Sequence, residues 1–513
     1  MGGQVGGSGN FNPYSLSTVI PYEGMINENY FRIKERERYL SANLETFKYV
    51  TKNPFNKKME YFLAMLIKSK YDGIGRQEDE IDISVALDIS GSMVYPFCKK
   101  PTFKELALQN DEMPNNNYYN YNFNGKKRIE VAKECLFKMI DSMSDKVQMA
   151  LTTFNTVSKM IIPLSPKNEL KSISHNINNV YADGGTDLYA ALSGAASCLS
   201  ESTAKFKRVI IITDGWDNNP GFMDLARKLN KANVLITVLS IDSSSNTEVY
   251  DKLCELRGCN YYFILNEKDL EKYLISQFNY ICFPILYDMK ISFQSKDADL
   301  IKTIGCGLQN EKSKIINQYQ VDYVTDVSNG KEIINTKSLF PSDIKIFNNN
   351  IYQEGGLMLL KINPKSLNKD CMINIHMEYT EIEGYIFVKD FPITFTVNEL
   401  RNCVRSNEIK KGIACYYYTK FYRKMAKFLN NNVSIDMGGP YYDVNKGKPH
   451  KKYFDFLARD RENYDMIKIF FNKNYENDLN EYQKEYYFKN LDKWYKKVLE
   501  KMNNPNPSLM MQQ

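Results

Sequence analysis

The sequence predicts an α/β fold, a doubly wound and mostly parallel sheet that is inserted in a flanking β-sandwich and followed by a C-terminal helical region. Between residues 81 and 284, short apolar strands alternate with amphipathic helical stretches, as in parallel sheets covered by helices. A few strand-like stretches lie on either side of this segment. They are too few on each side to fold separately, so we expect both sets to form one sandwich around the inserted unit.

The length of 513 residues exceeds the usual size of one hydrophobic core, so several domains are expected. We place a disordered tail at 1–20, N-terminal sandwich strands at 21–78, the α/β domain at 79–284, the remaining sandwich at 285–400 and a basic helical region at 401–513.

Within the α/β domain, apolar runs predict strands at 81–87, 146–154, 157–164, 208–213, 234–241 and 261–265. Apolar residues at helical spacing predict helices at 129–143, 188–199, 223–229, 249–256 and 270–280. The short link between the second and third strands indicates an antiparallel edge strand. An Asn- and Tyr-rich insert at 97–127 interrupts this pattern, and it is either disordered or a functional loop beside the end of the first strand.

Apolar patterns also predict strands and helices on either side of the α/β domain. Strands are predicted at 30–33 and 59–70 before the α/β domain, and at 285–293, 357–362, 372–379 and 385–397 after it. Helices are predicted in the tail at 409–429, 452–471 and 479–502.

The charge is uneven along the chain. Residues 401–513 contain 22 Lys and Arg against 13 Asp and Glu, while the whole chain carries +6, so the first 400 residues carry −3. The sequence has no apolar run long enough for a transmembrane segment, and its N-terminus lacks the pattern of a signal peptide. Its ten cysteines are scattered, without disulfide-scaffold or zinc-finger spacing. We therefore expect a cytoplasmic protein with free thiols.

Oxygen-bearing side chains follow two of the predicted strands. The first strand ends in Asp88, Ser90 and Ser92 at alternate positions, and Gly91 is expected to permit a close turn. Asp214 follows the fourth strand, and Thr186 lies in a glycine turn before a helix. Ligands of doubly wound sheets bind beyond the carboxyl ends of the strands, and hydroxyl and carboxylate oxygens suit Mg²⁺. The sequence therefore predicts a cation site.

These five residues match, in chain order, the metal-ion-dependent adhesion site of von Willebrand factor A domains, and the segment resembles that family. The sequence of the first loop is most similar to that of calcium-activated-chloride-channel-like and inter-alpha-inhibitor-like members. The resemblance implies that the hydroxyls of Ser90, Ser92 and Thr186 ligate Mg²⁺, with Asp88 and Asp214 acting directly or through water, and with Ca²⁺ or Mn²⁺ as substitutes. It also implies that an exposed Asp or Glu of a protein partner completes the coordination.

We therefore expect a metal-dependent adhesion or scaffold module and not an enzyme. One alternative is a Mg²⁺-dependent hydrolase, but none of His175, His376 and His450 is adjacent to the motif, and no phosphate-binding loop follows a strand. Asp183 and Asp187 are the candidate bases, although helix capping explains Asp187 more simply. The other alternative is a structural assembly protein, associated with the cytoskeleton, whose basic tail binds an acidic polymer such as microtubules. Nucleic acid is not an expected partner.

Overall fold

The computed structural model describes residues 29–54, 56–75, 81–97, 125–215, 219, 221–241, 247–264, 266–305 and 332–432, with short pieces at 442–443, 448–449 and 465. The predicted tail at 1–20, the interior of the insert and the predicted helices at 452–471 and 479–502 lie outside these ranges, apart from residue 465.

The strands in chain order are β1 Tyr30–Ile33, β2 Asn43–Lys52, β3 Met59–Lys68, β4 Ile81–Asp88, β5 Val147–Phe154, β6 Ser158–Pro166, β7 Phe206–Thr213, β8 Val234–Ile241, β9 Asn260–Ile264, β10 Leu286–Gln294, β11 Ala298–Ile304, β12 Glu332–Leu339, β13 Ile344–Phe347, β14 Asn350–Glu354, β15 Leu357–Pro364, β16 Cys371–Glu381, β17 Ile386–Phe395, β18 Tyr442–Asp443 and β19 Lys448–Pro449. The α-helices are α1 Arg128–Ser142, α2 Lys167–Ile173, α3 Leu188–Ser197, α4 Gly221–Lys231, α5 Thr247–Leu253, α6 Glu267–Glu271, α7 Phe278–Cys282, α8 Val397–Arg401 and α9 Lys410–Asn432.

The central sheet has six strands in the order β6-β5-β4-β7-β8-β9. All neighbours are parallel except the edge strand β6, which pairs antiparallel with β5. One face packs against α1, α2, α6 and α7, and the other packs against α3, α4 and α5. Because helices cover both faces, β4 and β8 are buried at every position. The predicted doubly wound sheet with an antiparallel edge is therefore confirmed.

Eight of the flanking strands form two antiparallel sheets, in the orders β11-β15-β3-β2 and β12-β10-β16-β17, and β1, β14 and β13 form a smaller antiparallel sheet. In the first sheet β3, from before the α/β domain, pairs with β15, from after it, so that Tyr61 faces Ile362. One hydrophobic core contains side chains from both sheets, including Leu63 and Leu360 from the first and Ile375 and Phe395 from the second. The α/β domain is thus inserted between strands of one sandwich, and the predicted fold class is confirmed.

Helix α9 covers the outer face of the first sandwich sheet. Ile413, Tyr416 and Tyr417 of this helix are buried against Phe62 of β3. Because β3 is covered on both faces, it is almost entirely buried, which explains its continuous apolar sequence. Among the described residues, no helix is long and apolar enough to cross a membrane.

Several elements differ from the sequence-based expectation. The sequence does not predict the strands β2, β11, β12, β13, β14, β18 and β19 or the helices α2 and α8. The single helix predicted at 270–280 is instead divided, because a π-helical turn at Lys272–Ser276 separates α6 from α7.

Candidate metal site

Three loops meet at the carboxyl edge of the central sheet. The first follows β4, the second precedes α3, and the third follows β7 and contains Asp214. Two backbone hydrogen bonds join the first two loops, since the N–H of Gly91 donates to the carbonyl of Gly184 at 2.9 Å and the N–H of Asp183 donates to the carbonyl of Ile89 at 2.6 Å. The backbone therefore holds these loops together without help from the site's own side chains.

Asp88 is a buried carboxylate with both oxygens hydrogen-bonded. Its Oδ1 accepts from the backbone N–H of Ser90 at 2.7 Å, and its Oδ2 accepts from the hydroxyl of Thr213 at 2.6 Å. Burial raises the pKa of Asp88 to about 6 and the charge of Asp214 adds to the rise, whereas the hydrogen bonds from Thr213 and Ser90 oppose it. At neutral pH the group is therefore mostly ionised and fixed in orientation.

Ser90 and Ser92 bring two hydroxyl oxygens close together, with their Oγ atoms 3.0 Å apart. The hydroxyl of Ser92 donates to Oδ1 of Asp214 at 2.7 Å. Because that bond uses the Ser92 proton, the Ser90 hydroxyl is the donor to the Ser92 oxygen, which keeps its other lone pair for a cation. In an octahedron with metal–oxygen distances of about 2.1 Å, neighbouring ligands lie about 3.0 Å apart. The spacing of the two serine oxygens therefore fits Mg²⁺.

Thr186 lies against Gly215, the residue that follows Asp214. A Cβ atom on Gly215 would lie 2.4 Å from the hydroxyl oxygen of Thr186 and 2.5 Å from its methyl group. The absence of a side chain at Gly215 thus leaves the space that Thr186 fills. The structure brings all five predicted site residues to one edge of the sheet, linked through the serine hydroxyls and this contact.

The sequence did not predict a role for Arg128, the first residue of α1. This residue is 8% exposed, and its Nη1 donates to Oδ2 of Asp214 at 2.6 Å. Both oxygens of Asp214 therefore have a protein donor, one from Ser92 and one from Arg128. The two aspartates and the arginine together carry −1, and not the −2 that the aspartates alone would supply.

The donor set is typical of a hard cation. Among the described residues, no group of three or more His, Cys, Asp and Glu side chains stands together as a metal site. The loops combine two carboxylates with three hydroxyls, which suits Mg²⁺, Ca²⁺ or Mn²⁺ better than a metal that prefers nitrogen and sulfur ligands. These residues fit the ion that the sequence predicts.

The other candidate groups lie elsewhere or have structural roles. Asp187 caps α3, since its Oδ1 accepts from the N–H of Ala190 at 3.0 Å. His175 is exposed in a 3₁₀ turn, and His376 pairs with Asp390 at 3.0 Å in the sandwich. His450 lies outside the described residues.

Cys254 and Cys259 lie near each other in the sequence, and both are free thiols. Cys259 is buried and Cys254 is partly buried. Burial raises the pKa of Cys254 to about 12 and that of Cys259 to about 11, so both remain neutral thiols at physiological pH.

Exposed apolar side chains surround the three loops. Tyr95 follows the serine loop and is 55% exposed, Val157 in the link between β5 and β6 is 67% exposed, and Tyr181, just before the second loop, is 76% exposed. Tyr189 in the first turn of α3 is also exposed. We call these four residues the rim.

One family model and several solved structures are similar to parts of this chain. The model of the von Willebrand factor type A domain matches residues 82–276. Among solved structures, the chain is similar to a von Willebrand factor type A protein from Catenulispora acidiphila, with 10% identity over 76% of this chain and 82% of that chain and a TM-score of 0.42. It is also similar to the ArnB paralog VWA2 from Sulfolobus acidocaldarius, with 10% identity over 84% and 93% of the two chains and a TM-score of 0.35.

A third similar structure is proximal thread matrix protein 1 from the mussel byssus, with a zinc-occupied MIDAS motif, at 18% identity over 40% of this chain and 46% of that chain and a TM-score of 0.29. No curated protein matches the chain. From the family match and the six-stranded sheet with helices on both faces, residues 82–276 form a von Willebrand factor type A domain within a longer chain.

Proposed function

We propose that the A domain binds Mg²⁺ through Asp88, Ser90, Ser92, Thr186 and Asp214 and uses the ion to hold an acidic residue of a protein partner. The observation that carries this proposal is the pair of serine oxygens 3.0 Å apart beside two buried carboxylates. Five protein groups, some of which act through water, leave room in the octahedron for a ligand from outside. A carboxylate is the side chain best suited to that position, because its charge and hardness match the ion.

The rim supports a protein as the occupant. Tyr95, Val157, Tyr181 and Tyr189 are exposed around the loops, and aromatic side chains are enriched in the cores of protein interfaces. A partner that places an acidic side chain on the ion can also bury apolar surface against these residues. We therefore propose a scaffold or adhesion role without catalysis, in the cytoplasm.

Metal binding is tested by titrating the full chain with Mg²⁺ in a calorimeter. Ser92→Ala removes one proposed ligand and should weaken binding about tenfold or more. Ser84→Ala is a matched control, since Ser84 is a buried hydroxyl on the same strand as Asp88 and has no proposed contact with the ion. If the wild type binds none of Mg²⁺, Ca²⁺ and Mn²⁺, the proposed function is wrong.

Partner binding is tested by affinity capture in Mg²⁺ and again in EDTA, with the same two variants. Proteins that bind the wild type and Ser84→Ala in Mg²⁺, but are lost in EDTA and with Ser92→Ala, fit the proposed mechanism. Capture that survives EDTA would instead favour binding of an acidic polymer by the basic tail. The tail's tyrosines give that alternative little support, because Tyr416, Tyr417 and Tyr418 are buried, and the Tyr417 hydroxyl donates to Glu60 at 2.7 Å.

The two candidate bases of the hydrolase alternative both make local hydrogen bonds. Oδ1 of Asp187 caps α3, and Oδ1 of Asp183 accepts from the N–H of Gly184 at 2.7 Å. His376 lies in the sandwich on β16, so no histidine of the described residues joins Asp183 at the loops for proton transfer. We therefore favour binding over catalysis.

A further inference from the structure

We propose that the positive charge of Arg128 weakens Mg²⁺ binding and leaves the metal-loaded site with a net positive charge that attracts an acidic ligand. This inference rests on the proposed function, because it concerns the same five metal ligands. It adds a sixth residue that sets the balance between affinity for the metal and affinity for the partner.

The geometry places Arg128 in direct competition with a dication for Asp214. Its Nη1 lies 2.6 Å from Oδ2 of Asp214, and the side chain of Arg128 is 10% exposed while that of Asp214 is fully buried. Water therefore screens the pair poorly, and its interaction is stronger than that of a surface salt bridge. A metal ion that gains electrostatic energy from Asp214 must share that carboxylate with the guanidinium.

The backbone fixes the guanidinium beside the site. The N–H of Arg128 donates to the carbonyl of Tyr95 at 2.9 Å, and the adjacent Lys127 forms a β-bridge with Pro96. Tyr95 and Pro96 continue the loop that holds Ser90 and Ser92. The start of α1 and the serine loop are therefore joined, and the cation stays near the ion whether or not its hydrogen bond to Asp214 persists.

The charges then have two opposite consequences. With Arg128 present, two carboxylates, one guanidinium and a dication add to +1, whereas without it they add to zero. Removing the arginine charge should strengthen the hold on Mg²⁺, because one repulsive charge is lost. The same change should weaken the attraction of a carboxylate to the loaded site. A general structural defect would be expected to weaken both.

The test uses the full chain and three proteins, namely wild type, R128Q and R128K. R128Q removes the charge, and R128K is the matched control that keeps a cation at the same position. Even in the dielectric of water, a unit charge about 6 Å from a dication changes its binding about tenfold. Calorimetry at fixed ionic strength should therefore show R128Q binding Mg²⁺ about tenfold or more tightly than wild type, with R128K close to wild type.

A second measurement compares how strongly the metal-loaded proteins bind a carboxylate. Each protein is loaded with Mn²⁺ and titrated with acetate as a simple carboxylate probe, and displacement of metal-bound water is followed by water-proton relaxation. Wild type and R128K should release water at lower acetate concentrations than R128Q. The opposite order would refute the part of the inference that concerns the net positive charge.

The outcomes separate this inference from the proposed function. If the wild type binds no divalent cation, the proposed function fails. If it does bind Mg²⁺ but R128Q binds equally or more weakly, only the inference about Arg128 fails. R128Q leaves Asp214 buried without its cation, so metal-free R128Q should be less stable. A variant that folds only with added Mg²⁺ supports the inference, and one that Mg²⁺ does not rescue at any concentration overturns it.

Discussion

Replacing Gly215 with alanine should disturb the metal site through a single contact. The added methyl group would lie 2.4 Å from the hydroxyl oxygen and 2.5 Å from the methyl carbon of Thr186. Ordinary contacts begin near 3.4 Å, so the threonine side chain has to move by about 1 Å or rotate away. Either response takes its hydroxyl out of the arrangement that is proposed to face the ion.

The size of the effect follows from this overlap. An extra methyl group in a packed region typically costs about 1–3 kcal/mol. The cost should fall in the lower half of that range, because Thr186 is only partly buried and can rotate. The loss of one hydroxyl ligand should weaken Mg²⁺ binding about tenfold or more. A tenfold loss corresponds to about 1.4 kcal/mol, so Gly215→Ala should lose free energy of Mg²⁺ binding and free energy of unfolding in similar amounts while it stays folded.

Gly91→Ala is the matched control in the other half of the site. A Cβ atom on Gly91 would lie 3.5 Å from the carbonyl oxygen of Gly184, which is an ordinary contact. Gly91 is also absent from the described glycines with positive φ, so the close turn expected from the sequence does not require glycine there. Calorimetry with Mg²⁺ and thermal denaturation should separate the two variants. Wild-type affinity in Gly215→Ala, or an equal loss in Gly91→Ala, would refute the reasoning.

Three further results are expected. Asp88→Ala and Asp214→Ala should each abolish Mg²⁺ binding in calorimetry while the domain stays folded by circular dichroism; unchanged affinity in both would contradict the site. Residues 285–400 expressed alone should be insoluble or unfolded, and co-expression with residues 1–78 should rescue them, whereas a well-dispersed NMR spectrum of the fragment alone would count against the shared sandwich. Burial raises the pKa of Asp72 from 3.8 to about 7, so the contribution of its protonation to the free energy of unfolding is fully present below pH 3.8 and is lost as the pH rises through 7. The excess in Tm of wild type over Asp72→Asn should therefore be larger at pH 5 than at pH 8. An equal excess at both pH values would be inconsistent with this shift.

The sheet could be predicted from sequence where burial is uniform. The strands β4, β7 and β8 are central, parallel and covered on both faces, so their apolar runs follow directly from their environment. The strand β2 was missed because it lies at a sheet edge and mixes charged residues with apolar ones. A segment with such composition becomes a strand through its pairing with β3.

The broken helix shows another limit of periodicity. Residues 270–280 have apolar spacing typical of one helix, yet the chain makes a π turn at Lys272–Ser276. That turn changes the phase of the helix, so that Leu274 and then Ile281 and Cys282 all reach the core beneath the sheet. Whether the helix is continuous or divided by a π turn depends on the shape of the sheet, which the local sequence does not determine.

Within the site, the sequence pointed to the five oxygen-bearing residues but not to the cation beside them. These five residues form a pattern of residue types and spacing, whereas Arg128 reaches Asp214 across 86 positions of the chain. One local signal was present. The first turn of a helix disfavours positive charge, because the helix dipole is positive at that end. An arginine at the start of α1 therefore indicates a compensating anion nearby, which the structure identifies as Asp214.

The insertion of the A domain places the sandwich at one edge of its central sheet. The sandwich contacts the amino edge of the central sheet, where the N–H of Gly258, just before β9, donates to the hydroxyl of Ser338 at 2.6 Å and Arg257 forms an ion pair with Asp288. The metal loops lie at the carboxyl edge, and an eight-residue strand such as β4 spans about 25 Å. The strand β4 begins at Ile81 on this edge, and Phe283 packs there against Phe206 at the start of β7, so the proposed partner would reach the candidate site and the rim without displacing the sandwich. The same separation means that substitutions in the site and in the sandwich should act independently on stability.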